Sequence, residues 1–140
     1  MRTYLDASVL VALLTDDPST ARADAFFRRH EPIAIVSDFA AAEFASALAR
    51  RVRTGEIDAG AAQSAFSDLD RWIERVAERI EVASSDVVAA TGFLRRLDLT
   101  LRTPDALNIA LCRRANAVLA TFDIKMATVA RTLGLQVTEG

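Results

Sequence analysis

A chain of 140 residues with 51% hydrophobic and 26% charged side chains has enough apolar content to bury one core and too much to stay disordered. A formal net charge of −2 marks no general nucleic-acid binder; any basic patch is local and built from arginine, since Lys125 is the only lysine. No apolar run reaches the roughly 18 residues of a membrane span, and the start MRTYLDASVLVALLTDD meets aspartates before any signal-like site, so a cytoplasmic protein is expected.

Thr3-Tyr4-Leu5 predicts a short strand ending at Asp6, and Ser8 precedes a helix over Val9 to Leu14 that Asp16-Asp17-Pro18 stops. Ser19 or Thr20 caps a second helix through Arg29; Pro32 breaks it, His30 falls in a loop, and Ile33 to Val36 reads as a buried strand. Ser37 or Asp38 opens a helix over Phe39 to Arg53, which Thr54-Gly55 ends before Asp58 opens another. In that helix Ala62, Phe66, Leu69, Trp72, Ile73 and Val76 recur at helical spacing, so the two helices form an amphipathic hairpin. Arg79 to Val82 alternates charged and apolar residues as an edge strand does, and Ser84 or Ser85 caps a helix to Leu97. Thr103-Pro104 sets a cap and a first-turn proline before a helix from Asp105 to about Ala115. Val118 to Thr121 is a strand, Ile124 to Leu133 a helix, and Gly134 releases a last strand over Leu135 to Val137. This alternation predicts an α/β fold, a three-layer α/β/α sandwich with a mostly parallel central sheet, in a single domain over residues 1–140.

Acids stand at informative places in that pattern. Asp6 and Asp123 each follow a strand and Asp105 sits in a first helical turn, positions that converge at the carboxyl edge of a parallel sheet. Clustered carboxylates repel and raise one another's pKa, so an ionised cluster calls for a hard cation such as Mg²⁺ or Mn²⁺. Each acid also has an ordinary reading: Asp6 and Asp123 as helix caps, Asp105 as an acid favoured by the helix dipole. Glu43 shares a helical stripe with Ser46, Arg50 and Arg53, and such a stripe is by itself a solvated face. Cys112 has no disulfide partner in the chain and reads as core filler, and His30, the only histidine, gives little support to a zinc site or a histidine base. Phe26, Phe27, Phe44, Phe66 and Trp72 are spaced as core or partner surface and not as a base-stacking platform.

Taken together, YLDASVLVALL, AAEFASALARR, LRTPDALNIAL and LATFDIKMATVARTLGL resemble the PIN domain family over essentially the whole chain, and within it the VapC-type toxins of bacterial toxin–antitoxin pairs. The resemblance implies a Mg²⁺- or Mn²⁺-dependent endoribonuclease that leaves 5′-phosphate and 3′-hydroxyl ends. It also implies inhibition by a VapB-type antitoxin, and toxins of this type commonly pair as homodimers. It assigns Asp6, Glu43, Asp105 and Asp123 to the acidic, metal-holding positions, with Ser8 and Thr121 as polar support. Arg50 then becomes a contact for substrate phosphate or antitoxin, Arg102 a contact for phosphate entering the cleft, and the helices over Phe39 to Arg53 and Asp58 to Val76 a groove for an antitoxin helix. Two other aspartate-based classes fit worse. A haloacid-dehalogenase-type phosphatase needs a second aspartate where Ser8 stands, and a response-regulator receiver needs an early acidic pair that is missing here. A non-catalytic PIN-like interaction module is the stronger rival.

Overall fold

The computed structural model describes residues 1–138. In chain order the elements are β1 (Arg2–Leu5), α1 (Ala7–Leu14), α2 (Thr20–His30), β2 (Ile33–Ser37), α3 (Asp38–Arg53), α4 (Ala59–Arg75), β3 (Glu78–Ile80), α5 (Ser84–Leu94), α6 (Thr103–Arg114), β4 (Val118–Ala120) and α7 (Ile124–Thr132). All strand pairs are parallel, in the order β3-β2-β1-β4.

Side chains alternate across a strand, and that period sorts the apolar residues into two cores. Tyr4, Ile35 and Leu119 face one side and meet Phe93 of α5, Ile109 and Leu111 of α6 and Met126 of α7. Their neighbours Leu5, Ala34, Val36 and Ala120 face the other side and meet Leu10 of α1, Phe44 and Leu48 of α3 and Leu69 of α4. A sheet covered on both faces is the three-layer sandwich expected, and burial on both faces explains why Ala34 to Val36 carries no polar alternation, whereas Ile33, at the start of β2, is exposed. Each fully buried Leu or Ile contributes about 1.5–3 kcal/mol. Phe26 and Phe44 are buried, Phe27, Phe66 and Trp72 pack half-buried, and Cys112 is wholly enclosed with its thiol pushed up to about 12 by desolvation. Among the described residues no helix is long and apolar enough to cross a membrane.

Several local expectations are corrected. Asp6, not Ser8, caps α1. His30 is the last residue of α2, its ring 4.8 Å from Phe26, because the left-handed turn comes one residue later at Glu31 (φ 42°). Val76 leaves α4 and is exposed, and β3 starts earlier and ends at Ile80, leaving Val82 outside the sheet. The α5 helix stops at Leu94, since Leu97, 94% exposed, has nothing to pack on. Neither Ser84 nor Ser85 caps α5: Ala83 takes the position, and the Asp86 carboxylate accepts from its N–H at 2.8 Å. Thr103 is the first residue of α6 and Arg102 stands at its cap position, so the proline falls one place further in. The last strand reduces to one bridge, Leu119 with Val137, because β4 offers only Leu119 to bond Gln136 and Thr138. Gly134 (φ 89°) does make the turn after α7, in a region that costs other residues strain.

Candidate active site

In the order β3-β2-β1-β4 the chain steps outward from β1 to β3, then returns to the other side of β1 for β4. The reversal opens a crevice between the carboxyl ends of β1 and β4, where open α/β folds bind ligands. The acids line it.

Asp6 follows β1 and is 5% exposed. Its Oδ1 accepts the Val9 N–H at 3.1 Å and the Ser8 hydroxyl at 2.6 Å, and its Oδ2 accepts the Thr121 hydroxyl in a short hydrogen bond. The Ser8 Oγ accepts from the Phe122 N–H at 3.0 Å and the Thr121 Oγ from the Asp123 N–H at 3.0 Å, so the two predicted supports tie the β1 end to the β4 end. Asp123 caps α7, with Oδ1 on the Met126 N–H at 3.1 Å, and is exposed. Asp105 is half-buried in the first turn of α6. The helices α1, α6 and α7 therefore present their positive ends at this crevice, which offsets part of the repulsion among the acids.

Glu43 projects from the middle of α3. Its stripe divides: Ser46, Arg50 and Arg53 are exposed, whereas Glu43 is half-buried and its Oε1 accepts the Asn108 Nδ2–H at 2.7 Å. Arg50 lies two turns on, about 10 Å along the helix axis at 1.5 Å per residue, and is exposed. Arg102, exposed at the start of α6, does stand beside Asp105, whose carboxylate is stabilised by its backbone N–H and its charge.

Electrostatics couples the acids pairwise. Asp6 feels Asp123, Glu43 feels both Asp6 and Asp105, and Asp105 feels Asp123. Desolvation is the main cause holding Asp6, Glu43 and Asp105 above the usual carboxylate range; neighbouring charges add to it, and the hydrogen bonds pull the other way. Among the described residues no three His, Cys, Asp or Glu side chains stand close enough together to ligate one ion. The donor chemistry nonetheless suits a hard divalent cation, being all oxygen, with Glu43 and Asp123 each bound by a donor at one oxygen only.

A raised folded pKa means stability that is complete below the unfolded value, near 4, and lost as pH rises through the folded value. Metal-free protein is thus expected to melt at a higher temperature near pH 5 than at pH 8, and saturating Mg²⁺ to flatten the slope between them. Melting curves across that range with and without the ion check it; a slope of opposite sign overturns it.

Sequence reasoning missed Asn108, Tyr4 and Ser37. The Tyr4 hydroxyl, in the core of the sheet, donates to Asn108 Oδ1 at 2.6 Å and lies 2.7 Å from Ser37 Oγ. The available signal was an asparagine three residues after Asp105, one helical turn along the same face, in an otherwise apolar helix.

The fold is a parallel α/β sandwich with Asp6 and Asp123 at its switch point. Residues 3–132 match the family model described as PIN domain, and the chain belongs to that family. No curated protein matches the sequence. Among solved structures the chain is similar to the VapC20 toxin of Mycobacterium tuberculosis, described as cleaving the sarcin–ricin loop. Identity is 18% and TM-score 0.73, over 91% of this chain and 94% of that one. It is similar to VapBC2 of Rickettsia felis bound to promoter DNA, at 17% identity and TM-score 0.68, over 99% and 98% of the two chains. A toxin–antitoxin complex from Klebsiella pneumoniae matches at 16% identity and TM-score 0.63, over 89% of each chain. At these identities the likeness is one of fold.

Proposed function

We propose that this protein is the toxin of a toxin–antitoxin pair, an endoribonuclease hydrolysing RNA at a carboxylate-held Mg²⁺ or Mn²⁺ site. The observation that carries the reading is the hydrogen-bonded junction of the β1 and β4 ends, where Asp6, held by Ser8 and Thr121, is tied to the start of α7 at Asp123, with the charges of Asp6 and Asp105 acting on Glu43 and that of Asp123 on Asp105. Likeness to a sarcin–ricin-loop-cleaving toxin and to toxin–antitoxin complexes supports it.

Asp6 is the fixed member, clamped by Ser8, Val9 and Thr121. Asp105 is half-buried and Asp123 exposed, so these side chains can turn inward, at about 0.5–1.5 kcal/mol for each one immobilised, while Glu43 keeps one oxygen on Asn108. When bound, a divalent ion would lower the pKa of water, polarise the phosphoryl oxygens and offset charge on the leaving oxygen. Arg102 meets an incoming phosphate beside Asp105, and Arg50 serves more distant phosphates or the antitoxin. A VapB-type antitoxin and a second copy of the chain are the expected partners, and the cytoplasm the expected compartment.

Incubating pure protein with a structured RNA pool, with Mn²⁺ or with EDTA, tests the reading. Discrete cuts ending in 5′-phosphate and 3′-hydroxyl, only with the ion, are expected; cleavage that persists in EDTA overturns it. A non-catalytic PIN-like module would bind no divalent ion at the acids.

A further inference from the structure

A directed chain of hydrogen bonds enters the candidate site from beneath. The Ala40 N–H donates to Ser37 Oγ at 2.9 Å, and Ser37 Oγ lies 2.7 Å from the Tyr4 hydroxyl. Tyr4 donates to Asn108 Oδ1 at 2.6 Å, and Asn108 Nδ2 donates to Glu43 Oε1 at 2.7 Å and to the Pro104 carbonyl at 3.0 Å. The asparagine orientation is fixed by its partners: turned over, its carbonyl would face a carboxylate and a second carbonyl with no proton between them. With the Tyr4 proton committed to Asn108, the Ser37 proton goes to Tyr4, so every bond in the chain runs toward Glu43. Tyr4, Ser37 and Asn108 are all buried, at 0, 1 and 2% exposure, so the chain is held by β1, β2 and α6 and is shielded from competing water.

We propose that Asn108, backed by Tyr4, is a positioning residue that pins one oxygen of Glu43 and aims the other into the crevice as a donor to the divalent ion. The inference rests on the nuclease reading above and adds a residue to it. A carboxylate on the middle of a helix, half-exposed, otherwise samples several rotamers pointing to water. Asn108 removes that freedom before the ion arrives, as hydrogen-bonded partners of metal ligands do, where their loss costs about 10- to 100-fold in affinity.

The two arms of the test are Asn108→Leu, which keeps the branching of the side chain and leaves the Tyr4 hydroxyl able to bond Ser37, and Tyr4→Phe, which keeps the Asn108–Glu43 bond but removes its backing. Mn²⁺ binding is read by calorimetry alongside melting temperature and the KM for RNA. Asn108→Leu is expected to weaken Mn²⁺ binding about tenfold with KM for RNA little changed, and Tyr4→Phe about threefold. A merely structural asparagine would lower the melting temperature and leave the Mn²⁺ affinity of the folded protein alone, and that result overturns the proposal. If Asn108→Leu does not fold, Tyr4→Phe decides, unchanged affinity counting against the proposal. Wild type that binds no Mn²⁺ sinks the nuclease reading itself and this inference with it; wild-type binding with unaltered variants sinks only the positioning role.

Discussion

Asp6→Asn is expected to lower RNA cleavage by roughly a thousandfold while the protein stays folded. The magnitude follows from the several kcal/mol that a catalytic ion supplies, each 1.36 kcal/mol being about tenfold in rate. Asparagine keeps the shape and caps α1 as well as aspartate does, its Oδ1 accepting the Val9 N–H and the Ser8 hydroxyl. What it loses is the negative charge, and with it the acceptor for Thr121. Loss of one hydrogen bond costs about 1 kcal/mol, against which stands relief of a buried, desolvated carboxylate coupled to Asp123. Melting temperature without metal should therefore change by only a few degrees, while Mn²⁺ no longer raises it. Single-turnover cleavage and melting curves decide: a variant that retains a tenth of wild-type activity removes Asp6 from the catalytic role.

The architecture was legible because hydrophobic periodicity and helix stops are local. Ile33 to Val36 and Val118 to Thr121 read as buried strands without reference to anything else, and burial of Ala34 to Val36 and of Leu119 and Ala120 made the runs continuous. Boundaries were read less well wherever a tertiary partner chose among several candidate caps. Ser84 and Ser85 are good caps in isolation, but the Asp86 carboxylate, held from α6 by Arg114, fixes the start of α5 one residue earlier. The acids were visible through their places at strand ends and first turns. Glu43 stood out only through the family resemblance, because helical phase alone sets it on the same stripe as the exposed Arg50 and Arg53. Only the long-range contact with Asn108, 65 residues away, separates it from a solvated face. Tyr4 in the sheet and Asn108 in a buried helix each look like filler until the fold sets one beside the other.

Arg114→Met carries the largest expected effect on stability. The Asp86 side chain is 2% exposed, and Arg114 grips it with two hydrogen bonds, Nε to Oδ1 at 2.8 Å and Nη2 to Oδ2 at 3.0 Å, while Nη2 also reaches the Glu81 carbonyl at 2.6 Å. One residue thus joins the end of α6, the start of α5 and the segment after β3. The ion pair holds the Asp86 carboxyl below its ordinary range, Arg114 being the largest cause. Methionine covers the same apolar surface but leaves a buried charge with only the Ala83 N–H, which costs about 3 kcal/mol, or roughly 10 °C in a domain of this size. A lowered folded pKa gives stability that is present above the unfolded value, near 4, and is lost as pH falls through the folded one, so the deficit of the variant should narrow in acid. Asp86→Asn combined with Arg114→Met keeps an acceptor for the Ala83 N–H and removes the stranded charge, and should recover more than half of the loss. Denaturant titrations at pH 7 and pH 3.5 on the two variants test both halves. A loss under 1 kcal/mol for Arg114→Met, or a double variant no more stable than the single one, would show that Asp86 is solvated well enough to stand alone. Because α6 carries Asp105 and Asn108 at its other end, the same variant also reports whether anchoring this helix holds the acids in place: Mn²⁺ affinity should fall along with stability.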